Sequence, residues 1–362
     1  AAAYVLPSES LVYYRVMGLS QLPDGSIRIG NRVLAKISRR EVAQKFLSPA
    51  PERMLKRLLN KGLITPEQAE MARRVPLADD ISAEADSGGH TDNRPLVGLL
   101  PSMIAMRDEM QAKYQFNTPV RVGIGGGIST PESVLAAFMM SAAFVVTGSI
   151  NHASVEAATS DFTKQQLSQA AMTDVVMAPS ADMFEMGVKV QVLKRGTMYA
   201  MRAQKLYDAY QAYEGINDIP AEERQTLEKS IFKRSLEDVW VDTVSFFQQR
   251  DPSQIEKASQ DPKKKMALIF RWYLGLAYRW SCTAETGRET DYQIWCGASM
   301  GTFNDWVRGT TLEALENRHV VEIALHLMRG CVHLYRLQQL KFSNIGFDAS
   351  FFTRYLPEEV LR

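Results

Sequence analysis

Short apolar runs alternate with helix-like segments through residues 1–205, and that order of elements leaves few folds open. The runs are residues 33–37, 81–85, 120–124 and 144–147. Each has strand length and helical segments lie between them, which is the pattern of a parallel sheet joined by helical crossovers. Three connecting helices are expected between the first two runs, over 39–46, 51–60 and 65–74. The third opens with Thr65-Pro-Glu-Gln68, a side-chain pattern that caps a helix start and puts proline in its first turn.

The last two strands each end in a loop suited to an anion. Val120-Arg-Val-Gly-Ile-Gly-Gly-Gly-Ile-Ser-Thr-Pro-Glu132 runs from a strand through Gly125, Gly126 and Gly127 into a helix with Thr130 as its cap. Phe144-Val-Val-Thr-Gly-Ser149 repeats the arrangement one strand later. Glycines here leave backbone N–H groups uncovered, and Thr147 and Ser149 add hydroxyls on either side of Gly148. A triple glycine also serves as a tight structural turn, but the capped helix and the second loop make a phosphate site the expectation. A doubly wound sheet carries its phosphate loop after the first strand, whereas a barrel carries one after its last two. Four strand–helix units are half of the eight that close a barrel, and residues 1–5 read as the tail of a further strand. The expected fold class is therefore α/β, a (β/α)8 TIM barrel whose C-terminal half is residues 1–205, followed by a mainly helical region, 206–362.

A second group of polar residues ends the preceding strand, on the same rim: Glu84-Ala-Asp-Ser-Gly-Gly-His-Thr91. Gly88 and Gly89 permit the close approach of a flat ligand. A histidine side chain ordinarily titrates near neutrality, so His90 is of a type suited to general acid or base work; it serves equally as a hydrogen-bonding loop residue. Glu84 and Asp86, two apart on a strand, share a face, where they contact ligand hydroxyls, orient His90 or partner a basic residue. Lys36 interrupts an apolar run and is either a phosphate or ring contact at the barrel mouth or a solvated edge residue.

Beyond residue 220 the pattern turns to long helices, with Leu227, Ile231, Leu236, Trp240, Val244 and Phe247 at near-helical spacing and a second apolar series from Met266 to Ala277. Residues 295–306, rich in glycine and aromatics, read as an ordered loop before a last helix over 319–340. His319, His326 and His333 lie seven apart, too far along a helix to share one metal. Lys263, Lys264 and Lys265 read as a solvated helix start rather than a docking patch. With 42 basic and 41 acidic residues, the near-neutral chain is not built to bind nucleic acid, and its most apolar C-terminal stretch, Met266 to Trp280, is broken by Arg271 and Arg279 before it could span a membrane. Three widely spaced cysteines argue against a disulfide framework and for a reducing, cytoplasmic setting.

At Glu84 to Asp92, Gly123-Ile-Gly-Gly-Gly-Ile128 and Thr147-Gly-Ser-Ile-Asn151 the sequence resembles the PfaD-type trans-acting enoyl reductases of polyunsaturated-fatty-acid and polyketide synthases. The likeness continues through Lys36 to Arg39, Ser48-Pro-Ala-Pro-Glu-Arg53, the run from Ala178 to Lys194, Phe232-Lys-Arg-Ser235 and Asp291-Tyr-Gln-Ile-Trp-Cys-Gly297. The glycine motifs alone are shared with the wider nitronate monooxygenase-like flavin barrels. The resemblance implies an FMN enzyme that takes hydride from NADPH and reduces an α,β-unsaturated thioester on an acyl carrier protein, acting as a homodimer. It places the FMN phosphate on Gly126, Gly127, Gly148 and Ser149, supported by Gly125 and Thr147, and the ring over Gly88 and Gly89 near Lys36 and Glu84, with His90 catalytic. It also implies four earlier barrel strands beyond those this sequence holds. A nitronate-oxidising flavoenzyme and a noncatalytic interaction subunit are the alternatives.

Overall fold

A computed structural model describes residues 6–346 and 354–358; the strand tail expected at residues 1–5 lies outside them. The chain divides into two compact units, one holding the described residues up to Gly148 together with those from Val321 onward, the other Ser149–Val320.

The first unit opens with α1 (Glu9–Met17), whose cap Ser8 accepts from the Leu11 amide at 3.2 Å. A short antiparallel hairpin, β1 (Leu19–Gln21) and β2 (Ile27–Ile29), follows. Arg15 is buried and fastens α1 to the entrance of the sheet. Its guanidinium donates to Asp79 at 2.6 Å and to the Pro76 carbonyl at 2.8 Å, while the same Asp79 carboxylate accepts from the Val33 amide at 2.8 Å.

The sheet has four parallel strands in the order β3 (Leu34–Ile37), β4 (Asp80–Glu84), β6 (Arg121–Gly125) and β7 (Val145–Val146). These are the four runs read from the sequence, displaced by a residue at their ends. Between β4 and β6 stand the two-residue β5 (Gly89–His90) and α5 (Leu96–Tyr114). The crossover from β3 to β4 carries α2 (Arg40–Leu47), α3 (Glu52–Asn60) and α4 (Pro66–Arg73); Thr65 and Gln68 form the capping box that the sequence predicts. After β6, α6 (Pro131–Met139) is capped by Thr130, whose hydroxyl accepts from the Ser133 amide at 3.4 Å.

Register gives the sheet two unlike faces. Lys36 lies opposite Ser82, and Glu84 opposite Gly125. Because alternate residues share a face, Lys36, Ser82, Glu84, Gly123 and Gly125 line one side. Ala35, Ile37, Ile81, Ala83, Val122 and Ile124 line the other and are all buried. The helices pack on this apolar side.

The second unit begins with a 3-10 turn at Ser149–Ala153 and α7 (Asp161–Ser168). An antiparallel pair, β8 (Val175–Pro179) and β9 (Lys189–Leu193), stands where the sequence suggests only strand–helix alternation. Then come α8 (Tyr199–Ala212), α9 (Ala221–Leu227), α10 (Leu236–Arg250), α11 (Ser253–Gln260), α12 (Pro262–Thr283) and α13 (Ser299–Val307). The apolar spacing from Leu227 to Phe247 does not form one helix. A π turn over Glu228–Phe232 ends at Lys233, which adopts φ 58°, and Ser235 caps a new helix. Residues 295–306 are likewise not a loop, since most of the segment is α13. Its Gly301 is set by packing: a Cβ there would lie 2.1 Å from the Met172 amide nitrogen.

The three lysines opening α12 are engaged rather than merely solvated. Lys263 lies over the Tyr210 ring at 4.7 Å, Lys264 pairs with Glu185 at 2.7 Å and Lys265 lies over Trp240 at 5.0 Å. The last helix, α14 (Val320–Phe342), matches the expected one closely and belongs to the first unit from Val321. No helix among the described residues is long and apolar enough to cross a membrane.

Candidate functional site at the carboxyl ends of the parallel strands

The carboxyl ends of β3, β4, β6 and β7, and the segments that follow them, carry the residues singled out from the sequence. This edge of a parallel sheet is where α/β folds place ligands. On its polar face Lys36 Nζ reaches Glu84 Oε1 at 3.0 Å. The Glu84 side chain is almost fully buried, and the Ser87 hydroxyl also donates to it. Of the roles open to Glu84, the structure shows it as partner to a basic residue. Lys36 is then not a lone solvated edge residue, since its ammonium is held on the sheet face by that buried carboxylate. A Cβ on Gly125 would lie 3.3 Å from both Glu84 Oε2 and Ser82 Oγ, so the absent side chain keeps the space beside the ion pair clear.

The next glycines differ in what demands them. Gly126 has φ 84°, and a Cβ there would lie 2.6 Å from the Ala85 carbonyl oxygen and 2.7 Å from that of Asp86. It is required by the close passage of the β4 end, to which β6 is tied when the Ala85 amide donates to the Gly125 carbonyl at 2.8 Å. Gly127 also has positive φ, at 74°, but is exposed, with only Leu96 Cδ1 at 3.8 Å from its Cβ position. Around Gly148, exposed as well, a Cβ would meet nothing within 4 Å. Gly127 and Gly148 thus offer open backbone, and Thr147 beside them is half-buried.

Ser149 opens the second unit and is buried. Its Oγ accepts from the Gly297 amide at 2.9 Å, so this hydroxyl is engaged within its own unit.

The loop after β4 is pinned on both sides. Asp86 lies beyond the strand, not on a strand face with Glu84 as its spacing suggests; its carboxylate accepts from the Asn93 side chain at 2.7 Å and its amide donates to the Arg94 carbonyl at 2.9 Å. Asp92 accepts from Arg39 Nε and Nη2 at 2.8 and 2.9 Å and from Ser38 Oγ at 2.5 Å. The Arg39 hydrogen bond, and secondarily Ser38, hold the Asp92 carboxyl below its usual range against the opposing effect of burial. Between these anchors, Gly88 and His90 are half-buried and Gly89, at φ 77°, is buried. The Arg39–Asp92 clamp is not legible in the sequence, because the two residues are far apart along the chain and meet only through the β3–β4 register.

A different polar cluster organises the second unit. Asp291 is fully buried; Arg202, Lys233 and Arg288 all pair with it, and the Tyr273 hydroxyl donates to it at 2.9 Å. Burial, and then the adjacent Asp291 charge, push the Tyr273 phenol far above its usual range. Two of the runs that carry the family resemblance, Phe232 to Ser235 and Asp291 to Gly297, therefore meet at one buried charge. His319 Nδ1 meets Glu156 at 2.8 Å, whereas His326 and His333 share Tyr355, His326 Nδ1 lying 2.8 Å from its hydroxyl and His333 with its ring centroid 6.1 Å from the Tyr355 ring. No cluster of metal-ligating side chains occurs among the described residues.

Comparison with known proteins agrees with this architecture. Residues 213–292 match the model of the [acyl-carrier-protein] S-malonyltransferase inserted helical domain. One of the polyunsaturated fatty acid synthase polypeptides of Thraustochytrium sp. is 49% identical over 357 residues, covering 96% of this chain and 17% of that protein. The polyketide biosynthesis protein PksE of Bacillus subtilis is 49% identical over 328 residues, 91% of this chain and 42% of PksE. The chain spans less than half the length of either relative. A crystal structure of the enoyl reductase domain of MlnA, from the macrolactin biosynthesis cluster of Bacillus amyloliquefaciens, aligns with TM-score 0.88 and 40% identity over 93% of this chain and 75% of that one. The chain's α/β fold is of the TIM-barrel class, and the chain belongs to the PfaD-type enoyl reductases.

Proposed function

We propose that the chain carries the flavin site of a trans-acting enoyl reductase, which uses FMN and NADPH to saturate an α,β-unsaturated acyl thioester on an acyl carrier protein. The observation that carries the proposal is the open glycine backbone at Gly127 and Gly148, set at adjacent strand ends beside the Lys36–Glu84 pair. These residues fit a phosphate, because no side chain covers their backbone and the α6 N-terminus lies directly behind the first loop.

Gly126, Gly127 and Gly148, with Ser149 following and Gly125 and Thr147 in support, would hold the FMN phosphate. Gly88 and Gly89 would face the ring. Bound FMN would supply the hydride, taken from NADPH, that the thioester β-carbon receives. Lys36 sets a positive charge on the sheet face, and Glu84 fixes its position. His90 gives a proton from an imidazole nitrogen to the α-carbon, or donates it as a hydrogen bond to the thioester carbonyl oxygen; the pinned loop from Asp86 to Arg94 orients the ring. On this reading β3, β4, β6 and β7 are the C-terminal half of the barrel, with residues 1–205 its share of the chain and 206–362 the appended helical region. The match of residues 213–292 to a helical domain of a carrier-protein transacylase supports placing the carrier protein at this appended region, where the homodimer contact is also proposed.

The test is His90→Ala in the protein carrying this chain. Crotonyl-thioester reduction should fall by about 100-fold or more, the range of a lost general acid, with the visible flavin spectrum retained. Undiminished turnover removes His90 from the chemistry.

A further inference from the structure

At the opposite end of the parallel sheet, where β3, β4 and β6 begin, the first unit holds a cavity of about 760 Å3, lined by β2, the segment leading into β3, the end of α4 and the loop from α5 to β6. The volume is within the range of small-molecule sites. Five arginines line it, Arg28, Arg32, Arg73, Arg74 and Arg121, against a single carboxylate, Asp79. In a chain with 42 basic and 41 acidic residues, this is a local separation of charge that the composition conceals.

The charge on the lining is only partly cancelled. Asp79 is spent on Arg15 at 2.6 Å and on the Val33 amide at 2.8 Å. Arg73 is neutralised by Glu52 and Glu70, both at 2.9 Å, and Arg121 by Asp80 at 2.7 Å. The guanidinium groups of Arg28, Arg32 and Arg74 have no carboxylate partner among the described residues. Three like charges around one hollow repel one another and focus a positive potential into it, which a bound anion relieves. Asn117 and Thr118, from the loop before β6, add an amide and a hydroxyl that bond no other described residue.

We infer that this cavity binds a small polyphosphate, its phosphoryl groups shared among Arg28, Arg32 and Arg74, with Asn117 and Thr118 as further donors. Guanidinium groups match phosphate oxygens in a planar fork. A single phosphate carries at most about two negative charges at neutral pH, too few for three free guanidinium groups, so the ligand has two or more phosphoryl groups. It is not the FMN proposed above: the five-residue strand β4 sets the two ends of the sheet about 15 Å apart. An acidic peptide is the poorer occupant, because its charge is spread along a chain, whereas a polyphosphate concentrates it in one compact group. The bound anion ties β2, the entrance to β3 and the end of α4 together.

Calorimetric titration of the protein carrying this chain with inorganic triphosphate, in the absence of divalent cations, tests the assignment. Arg32→Ala and Arg74→Ala should each weaken binding about tenfold, the loss of one charge-assisted contact. Neither side chain has a carboxylate partner to release, so both variants should keep the circular dichroism of the parent. Arg308→Ala, at a guanidinium paired with Asp305 in the second unit, should leave binding unchanged, and FMN should not displace the triphosphate. ATP binding as tightly as the inorganic anion would identify the phosphate chain alone as what the cavity reads, and tighter binding of ATP would identify a nucleotide as its source. Undiminished binding in Arg32→Ala and Arg74→Ala, an equal loss in Arg308→Ala, displacement by FMN, or equally tight binding of orthophosphate or of a hexaglutamate peptide would each overturn the proposal.

Discussion

Replacing Gly126 by alanine separates two demands that the glycine loop places on its backbone. At φ 84° a non-glycine residue carries a conformational cost of about 1–2 kcal/mol. The new Cβ would also stand 2.6 Å from the Ala85 carbonyl oxygen and 2.7 Å from that of Asp86, and overpacking against backbone costs about 1–3 kcal/mol more. The sum for Gly126→Ala is about 2–5 kcal/mol, large for one methyl group. Gly127→Ala keeps the conformational part, about 1–2 kcal/mol, since its nearest neighbour is Leu96 Cδ1 at 3.8 Å. Gly148→Ala meets nothing within 4 Å and should change stability by less than about 0.5 kcal/mol. Urea unfolding followed by far-ultraviolet circular dichroism is the assay. Tryptophan fluorescence is unsuitable, because all five tryptophans lie between residues 240 and 306, in the second unit. The expected order of destabilisation is Gly126, then Gly127, then Gly148. Equal losses at the three positions, or a Gly126→Ala protein as stable as the parent, would mean that the passing backbone of Ala85 and Asp86 does not dictate glycine at 126.

Other outcomes follow from the same contacts. Asp291→Ala leaves Arg202, Lys233 and Arg288 around a buried position without their shared carboxylate; a loss of about 3–5 kcal/mol in urea unfolding is expected. Thr130→Ala removes the α6 cap and should cost about 1 kcal/mol in the same assay. Since the Asp92 carboxyl is held below its ordinary value when folded, its contribution is present above an unfolded pKa of ~3.9 and lost as pH falls through the lower folded value. Hydrogen-exchange protection over residues 86–94, taken relative to the intrinsic rate at each pH, should therefore fall at acid pH in the parent protein, while Asp92→Asn should show reduced protection already at neutral pH.

The parallel sheet is legible because its strands are short apolar runs punctuated by strong helix starts such as Thr65-Pro-Glu-Gln68. The glycine loops are legible for a similar reason, since glycine records backbone geometry directly. What stays hidden depends on contacts between distant residues. The Lys36–Glu84 pair and the Arg39–Asp92 clamp exist only once β3 and β4 are in register. The sequence also does not distinguish Gly126, held by the passing backbone of Ala85 and Asp86, from Gly148, which nothing crowds. In the second unit, a left-handed Lys233 breaks a helical pattern without any glycine or proline to announce it. Gly301 carries the opposite message: it reads as a loop residue but sits inside α13 because the backbone at Met172 leaves no room for a side chain.

Turnover by the FMN-loaded protein that carries this chain tests the proposed activity most directly, followed as NADPH oxidation with a crotonyl thioester and, separately, as oxygen consumption with a nitroalkane. One NADPH should be consumed for each thioester saturated, with no comparable oxygen uptake on the nitroalkane. Nitroalkane oxidation without thioester reduction, or a folded protein that takes up no FMN, would contradict that activity.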